Sequence, residues 1–168
     1  EYGYLTFAMM LSDYDLLNRT VPDEEIFIRG IGRASRSKAF QELYSYYRAL
    51  FSDIEYFTVP IMGKGAEGVA YDDSWYAPRS YGGNRSHEGT DLMAGNNTRG
   101  YFPVISITDG VVEKLGWLEQ GGYRVGIRAG SGAYFYYAHL DSYAPGLKAG
   151  DRVIAGQLLG FMGDTGYG

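Results

Sequence analysis

Apolar side chains at Phe40, Leu43, Tyr44, Tyr47, Leu50 and Phe51 recur at the i, i+3, i+4, i+7 spacing that draws one stripe along a helix. The pattern predicts a helix over residues 37–52, with Ser35 or Ser37 placed to cap its start. Residues 7–17 carry a shorter helical signal, and Thr20-Val21-Pro22-Asp23 reads as a break followed by a new start. From Phe57 onward the rhythm changes to short β-like runs punctuated by glycine. Strands are expected at residues 101–108, 110–118, 123–129, 133–139 and 157–162. The turns between them carry Asp109-Gly110, Gln120-Gly121-Gly122 and Gly130-Ser131-Gly132. Connections this short make hairpins, hence an antiparallel sheet. Pro103 donates no ladder bond, so its strand belongs at an edge or begins later. The fold class expected is mainly β, an antiparallel sheet with an N-terminal α-helical appendage. Residues 1–56 form the appendage and residues 57–168 the β domain.

Composition sharpens this picture. The 168 residues include 25 glycines and 17 tyrosines but only 5 prolines, which suits short strands and tight turns. With 45% hydrophobic and 21% charged residues, the chain has a globular rather than a disordered composition. A net charge of −5 leaves no basic stripe for nucleic acid. Cysteine is absent, so there is neither a disulfide framework nor a thiolate metal site, and any metal must sit on His, Asp or Glu. No stretch approaches the roughly 20 apolar residues of a membrane span. The first residues, Glu1-Tyr2-Gly3-Tyr4, lack the positive start of an export signal, so an exported protein would need a signal outside this chain.

Only two histidines are present. His87 lies in Arg85-Ser86-His87-Glu88-Gly89-Thr90-Asp91, four residues before Asp91. In an extended segment that even spacing puts both side chains on one face, and Gly89 lets the backbone bend between them. Imidazole and carboxylate are both good ligands for a first-row metal. The bland reading is a surface histidine bonded to a nearby aspartate. A His-Glu-x-x-His zinc helix is excluded, because no second histidine follows Glu88. His139 ends the run Tyr134-Phe135-Tyr136-Tyr137-Ala138-His139. Alternation puts Phe135, Tyr137 and His139 on one strand face. There His139 either serves the sheet structurally or projects into a cleft. Counting residues alone offers it as a third metal ligand. The run Lys148-Ala149-Gly150-Asp151 through Ala155-Gly156-Gln157 reads as turns around short strands. A similar rhythm occurs in lipoyl and biotinyl carrier hairpins, but no lysine stands at a matching tip.

Taken in order, these pieces resemble the lysostaphin-type (LytM-like) zinc metallopeptidases of bacterial cell walls. The matching elements are Arg85-Ser86-His87-Glu88-Gly89-Thr90-Asp91, Asp109-Gly110-Val111-Val112, Tyr137-Ala138-His139-Leu140, Lys148-Ala149-Gly150-Asp151-Arg152-Val153, and Gly163-Asp164-Thr165-Gly166. The resemblance covers residues 57–168 and implies a groove built on an antiparallel sheet. It makes His87 and Asp91 ligands of Zn2+ and places His139 off the metal, in a catalytic role. The substrate implied is a peptide stem or cross-link of peptidoglycan, and the location implied is the bacterial cell envelope or exterior. The third ligand in such enzymes is the second His of a His-x-His motif, which this sequence does not contain. The expectation is that the natural protein continues past Gly168 to supply it. Two other readings remain: a non-catalytic LytM-like module that binds wall peptide or a partner protein, and a carrier hairpin domain.

Overall fold

The computed structural model describes residues 20, 23–51, 68–71, 74–79 and 85–167. The chain divides into two compact units, Glu1–Ser52 and Asp53–Gly168. In the first, helix α1 spans Glu24–Arg36 and helix α2 spans Lys38–Leu50. Asp23, just after Pro22, caps α1 by accepting a bond from the Ile26 N–H at 2.9 Å. Glu24 and Glu25 in the first turn, with Arg33 and Arg36 in the last, complement the helix dipole. Ser37 breaks the two helices apart with an extended backbone, and its hydroxyl caps α2 through the Phe40 N–H at 3.2 Å. Of the two serines expected to start α2, Ser37 does so. The apolar stripe of α2 is not buried: Leu43 and Tyr47 are each more than half exposed. The helical signal at residues 7–17 lies outside the described residues.

The second unit contains ten strands among the described residues: β1 (Val69–Tyr71), β2 (Pro78–Arg79), β3 (Arg85–Ser86), β4 (Leu92–Ala94), β5 (Pro103–Ile105), β6 (Gly110–Leu118), β7 (Gly122–Arg128), β8 (Tyr134–Tyr143), β9 (Arg152–Val153) and β10 (Leu158–Met162). Six form one antiparallel sheet in the order β5-β10-β8-β7-β6-β9, and β1–β4 and β2–β3 form separate two-stranded ladders. β5 begins at Pro103 and is an edge strand, so the missing N–H costs the sheet nothing in its interior. The five strands expected from sequence all occur, β6 with unchanged limits. The chain is therefore mainly β and antiparallel, as expected.

The core is one face of this sheet: Val104, Val112, Val125, Ile127, Leu140, Val153 and Leu159 are buried together, with Leu115, Phe135 and Tyr137 packed against them. In β7, Val125 and Ile127 point inward, so Arg124, Gly126 and Arg128 alternate onto the opposite face. The turn signals act as loop anchors. Asp151 accepts from the Lys148 N–H at 2.8 Å, the Gln157 side chain accepts from the Ile154 N–H at 3.1 Å, and Asp109 reaches across to the Ala155 N–H at 2.7 Å.

β8 departs from the expected alternation. Tyr123 of β7 pairs with Leu140 while Val125 pairs with Tyr137, so two residues of β7 step past three of β8. The extra residue makes a bulge in which His139 takes φ 58°, the left-handed region. Tyr137 and Leu140 consequently both face the core although they are three apart. His139 is turned out of the row that holds Phe135 and Tyr137, and the strand continues to Tyr143 rather than ending at residue 139.

Candidate metal centre and catalytic histidine

The β2–β3 ladder sets the first half of the site. Pro78 pairs with Ser86 and Arg79 with Arg85, which carries the chain straight into His87. The backbone of His87 is locked to the segment before β2: its N–H donates to the Ala77 carbonyl at 2.9 Å, and its carbonyl accepts from the Tyr76 N–H at 2.8 Å. Ser74 then holds both candidate ligands. Its carbonyl oxygen lies 3.0 Å from His87 Nδ1, and its hydroxyl accepts from the Asp91 N–H at 3.1 Å. A carbonyl can only accept, so Nδ1 carries the proton and the neutral ring presents a bare lone pair at Nε2. Nε2 lies 3.3 Å from Asp91 Oδ1, and the second carboxylate oxygen, Oδ2, is paired with the guanidinium of Arg79.

Residues 87–91 are a bent loop rather than the extended segment that the even spacing suggested. Gly89 sits at the bend, where a Cβ would lie in ordinary van der Waals contact with His87 Nε2, 3.4 Å away. The histidine and aspartate side chains are 18% and 31% exposed, screened from bulk water on most sides yet open on one. β4, starting at Leu92, then anchors the far end of the loop against β1.

This donor set fits a small divalent metal. Bonds of about 2.0–2.2 Å at a tetrahedral angle put two donor atoms about 3.3–3.6 Å apart, which matches the separation of Nε2 and Oδ1. The ring tautomer is fixed by a backbone carbonyl and the idle carboxylate oxygen by an arginine, the outer contacts that orient metal ligands. Without a cation, Nε2 would need a second proton to bond Asp91. Among the described residues no cluster of three His, Cys, Asp or Glu forms, so His87 and Asp91 stand as a pair.

His139 has its own support. Its N–H donates to the Gly121 carbonyl at 2.7 Å and its Nδ1 lies 2.7 Å from the Thr165 carbonyl, which again leaves Nε2 as the free ring nitrogen. Thr165 also donates its hydroxyl to the Leu140 carbonyl at 2.6 Å and accepts from the Tyr123 N–H at 3.1 Å. The Gly163-Asp164-Thr165-Gly166 turn is thereby pinned to the β6–β7 hairpin, with Tyr167 N–H on the Gln120 carbonyl at 3.0 Å. A non-glycine residue at φ 58° is strained by about 1–3 kcal/mol, and these bonds hold it there. Among the described residues, no hydrogen bond or ion pair joins His139 to His87 or Asp91. Sequence reasoning named the two histidines and Asp91 but gave no role to Ser74, Arg79 or Thr165. Thr165 at least stood inside a motif that was singled out.

Residues 85–168 match the profile of Peptidase family M23. The L-Ala–D-Glu endopeptidase of Bacillus subtilis is 39% identical over 129 residues, covering 77% of this chain and 37% of that protein. The chain thus spans well under half the length of this curated relative. Among solved structures, the LytM glycyl-glycine endopeptidase structure from Ruminococcus gnavus superposes with a TM-score of 0.68 at 48% identity, covering 99% of this chain and 67% of that one. The catalytic domain of lysostaphin from Staphylococcus simulans superposes with a TM-score of 0.52 at 29% identity, covering 64% of this chain and 77% of that one.

Proposed function

The chain belongs to Peptidase family M23, and on that premise we propose that it is part of a zinc-dependent endopeptidase that cuts peptide bonds in peptidoglycan stems or cross-links. The observation that carries this reading is the 3.3 Å approach of His87 Nε2 to Asp91 Oδ1, with both groups oriented for a shared cation. The activities of the relatives, an L-Ala–D-Glu endopeptidase and a glycyl-glycine endopeptidase, support this substrate class. The substrate in turn puts the working protein outside the cytoplasmic membrane. No helix among the described residues is long and apolar enough to cross one.

In this reading His87 and Asp91 are two of the protein ligands, and the resemblance draws a third from a His-x-His segment. A zinc ion held there would supply Lewis-acid chemistry, polarising the carbonyl under attack and making water a stronger acid. The rest is the work of the chain. Arg79 holds the Asp91 carboxylate in place. Nε2 of His139 accepts a proton from the attacking water in its neutral form, or donates one to the developing oxyanion when protonated. Because Nδ1 of His139 is committed to the Thr165 carbonyl, only Nε2 can do this. The β7–β8 surface beside His139 is the natural bed for an extended peptide.

The test is digestion of purified peptidoglycan by the full-length protein, with released peptides identified by mass. New peptide termini that vanish with a chelator and return with zinc are expected. Intact peptidoglycan in every zinc-loaded reaction would instead support a non-catalytic wall-binding module.

A further inference from the structure

The face of β7 and β8 opposite the core carries two arginines in different states. Arg128 is fully engaged: it forks onto Glu113 at 2.6 and 3.1 Å, donates to the Gly132 carbonyl at 2.8 Å, and lies 4.7 Å over the Tyr134 ring. Arg124, four residues earlier on the same face, has no such partner among the described residues. Its Nε and Nη1 atoms are covered and make no hydrogen bond. A covered guanidinium edge without an acceptor is costly, and such groups in native proteins call for an explanation.

Its surroundings point to one. Gly116 of β6 pairs with Arg124, and no atom lies within 4 Å of where a Gly116 side chain would stand. Tyr134 lies across Gly126 and Tyr136 reaches over Gly121, since a Cβ at either glycine would run into the tyrosine hydroxyl. Both rings remain 39–49% exposed. The Gly121 carbonyl beneath Tyr136 is the one that accepts the His139 N–H, so this strip runs directly up to the candidate catalytic residue. Burial pushes the Tyr136 hydroxyl above its ordinary value, with the charge of Arg124 acting in the opposite direction. The hydroxyl is therefore a neutral donor at physiological pH, within electrostatic reach of an uncompensated cation.

We propose that Arg124 and Tyr136 form a subsite that receives a carboxylate of the bound peptide next to the bond acted on by His139. The inference rests on the peptidase reading and deepens it, by making an acidic peptide rather than an all-glycine one the preferred substrate. A guanidinium with no internal acceptor meets a carboxylate without first breaking a bond. The phenolic O–H supplies a second donor, and charge-assisted bonds of this kind discriminate strongly against the uncharged amide. The tyrosine rings floor the strip without adding a competing charge.

The carboxylate can be an acidic side chain or a free stem terminus, and one peptide series separates them. The full-length zinc-loaded protein is given a stem peptide with both carboxyls free, one with the side-chain carboxyl amidated, and one with the terminal carboxyl amidated. Binding and kcat/KM are measured for each. At least about a tenfold preference for the peptide that keeps the recognised carboxylate is expected. In Arg124→Gln that ratio should collapse towards one, and in Arg124→Lys it should partly return. A merely structural loss would lower all three peptides together. Equal binding and turnover of the three peptides by the wild-type protein, or an unchanged ratio in Arg124→Gln, would overturn the subsite. A binding preference without any cleavage would keep the subsite and overturn the peptidase reading instead.

Discussion

Ser74 engages both members of the candidate metal pair at once, with its carbonyl on His87 and its hydroxyl on Asp91, while Arg79 occupies the aspartate oxygen that His87 does not face. These contacts would leave Asp91 one oxygen for a metal, the mode suited to a compact tetrahedral centre. Outer partners of this kind are typically worth about 10–100-fold in metal affinity. Arg79→Gln in the full-length protein should weaken zinc binding by about that factor in a chelator competition, with Arg79→Lys in between. An unchanged affinity would show that the ion pair does not orient the ligand. The His87–Asp91 spacing was legible in the sequence as a pair able to converge. Its supports were not, because Ser74 and Arg79 reach the site through the pairing of β2 with β3 rather than by any spacing along the chain.

Within the six-stranded sheet, the bulge in β8 does what no periodic pattern announces. Alternation put His139 in line with Phe135 and Tyr137, and that placement is corrected by the inserted residue, which turns the ring away from the core row. The remaining strands and turns were readable because glycine and β-branched or aromatic runs alternate at hairpin lengths. The run holding β9 was read as turns around short strands, but the short β1–β4 and β2–β3 ladders were not legible, since strands of two or three residues carry too little periodicity. The bulge depends on its neighbours. Gly122 has φ 59°, and a side chain there would press into the carbonyl and hydroxyl of Thr165, the residue that orients His139. Gly122→Ala should cost about 1–2 kcal/mol from the left-handed backbone alone. Displacement of Thr165 would add to this, so urea denaturation should give a clearly lower midpoint, with activity falling further than stability. A midpoint equal to wild type would mean that the turn tolerates the added group.

Across the whole β unit, one face of the six-stranded sheet holds the core, and Tyr137 bridges from it to the loop before β6. Its hydroxyl accepts the Ile107 N–H at 2.9 Å, and burial pushes its pKa up while that bond acts the other way. A tyrosine that holds its proton more tightly when folded lends stability that is complete below the unfolded value of about 10 and is lost as pH rises above it. Tyr137→Phe should therefore narrow the stability gap between pH 8 and pH 10.5. At neutral pH it should cost about 1–3 kcal/mol for the orphaned Ile107 N–H. An undiminished gap would assign the alkaline loss to other groups. In the first unit α2 was legible from its apolar stripe and α1 only as a new start after Thr20-Val21-Pro22-Asp23, and the exposed stripe of α2 does not disclose a task.

The division of labour between the two histidines is tested most directly by measuring bound zinc and peptidoglycan hydrolysis on the same preparations of full-length protein. The wild type is compared with His139→Ala and Asp91→Ala. His139→Ala should retain zinc close to the wild-type amount while hydrolysis falls by at least about 10²-fold, and Asp91→Ala should lose both together. Loss of zinc from His139→Ala, or hydrolysis that survives it, would contradict the assignment.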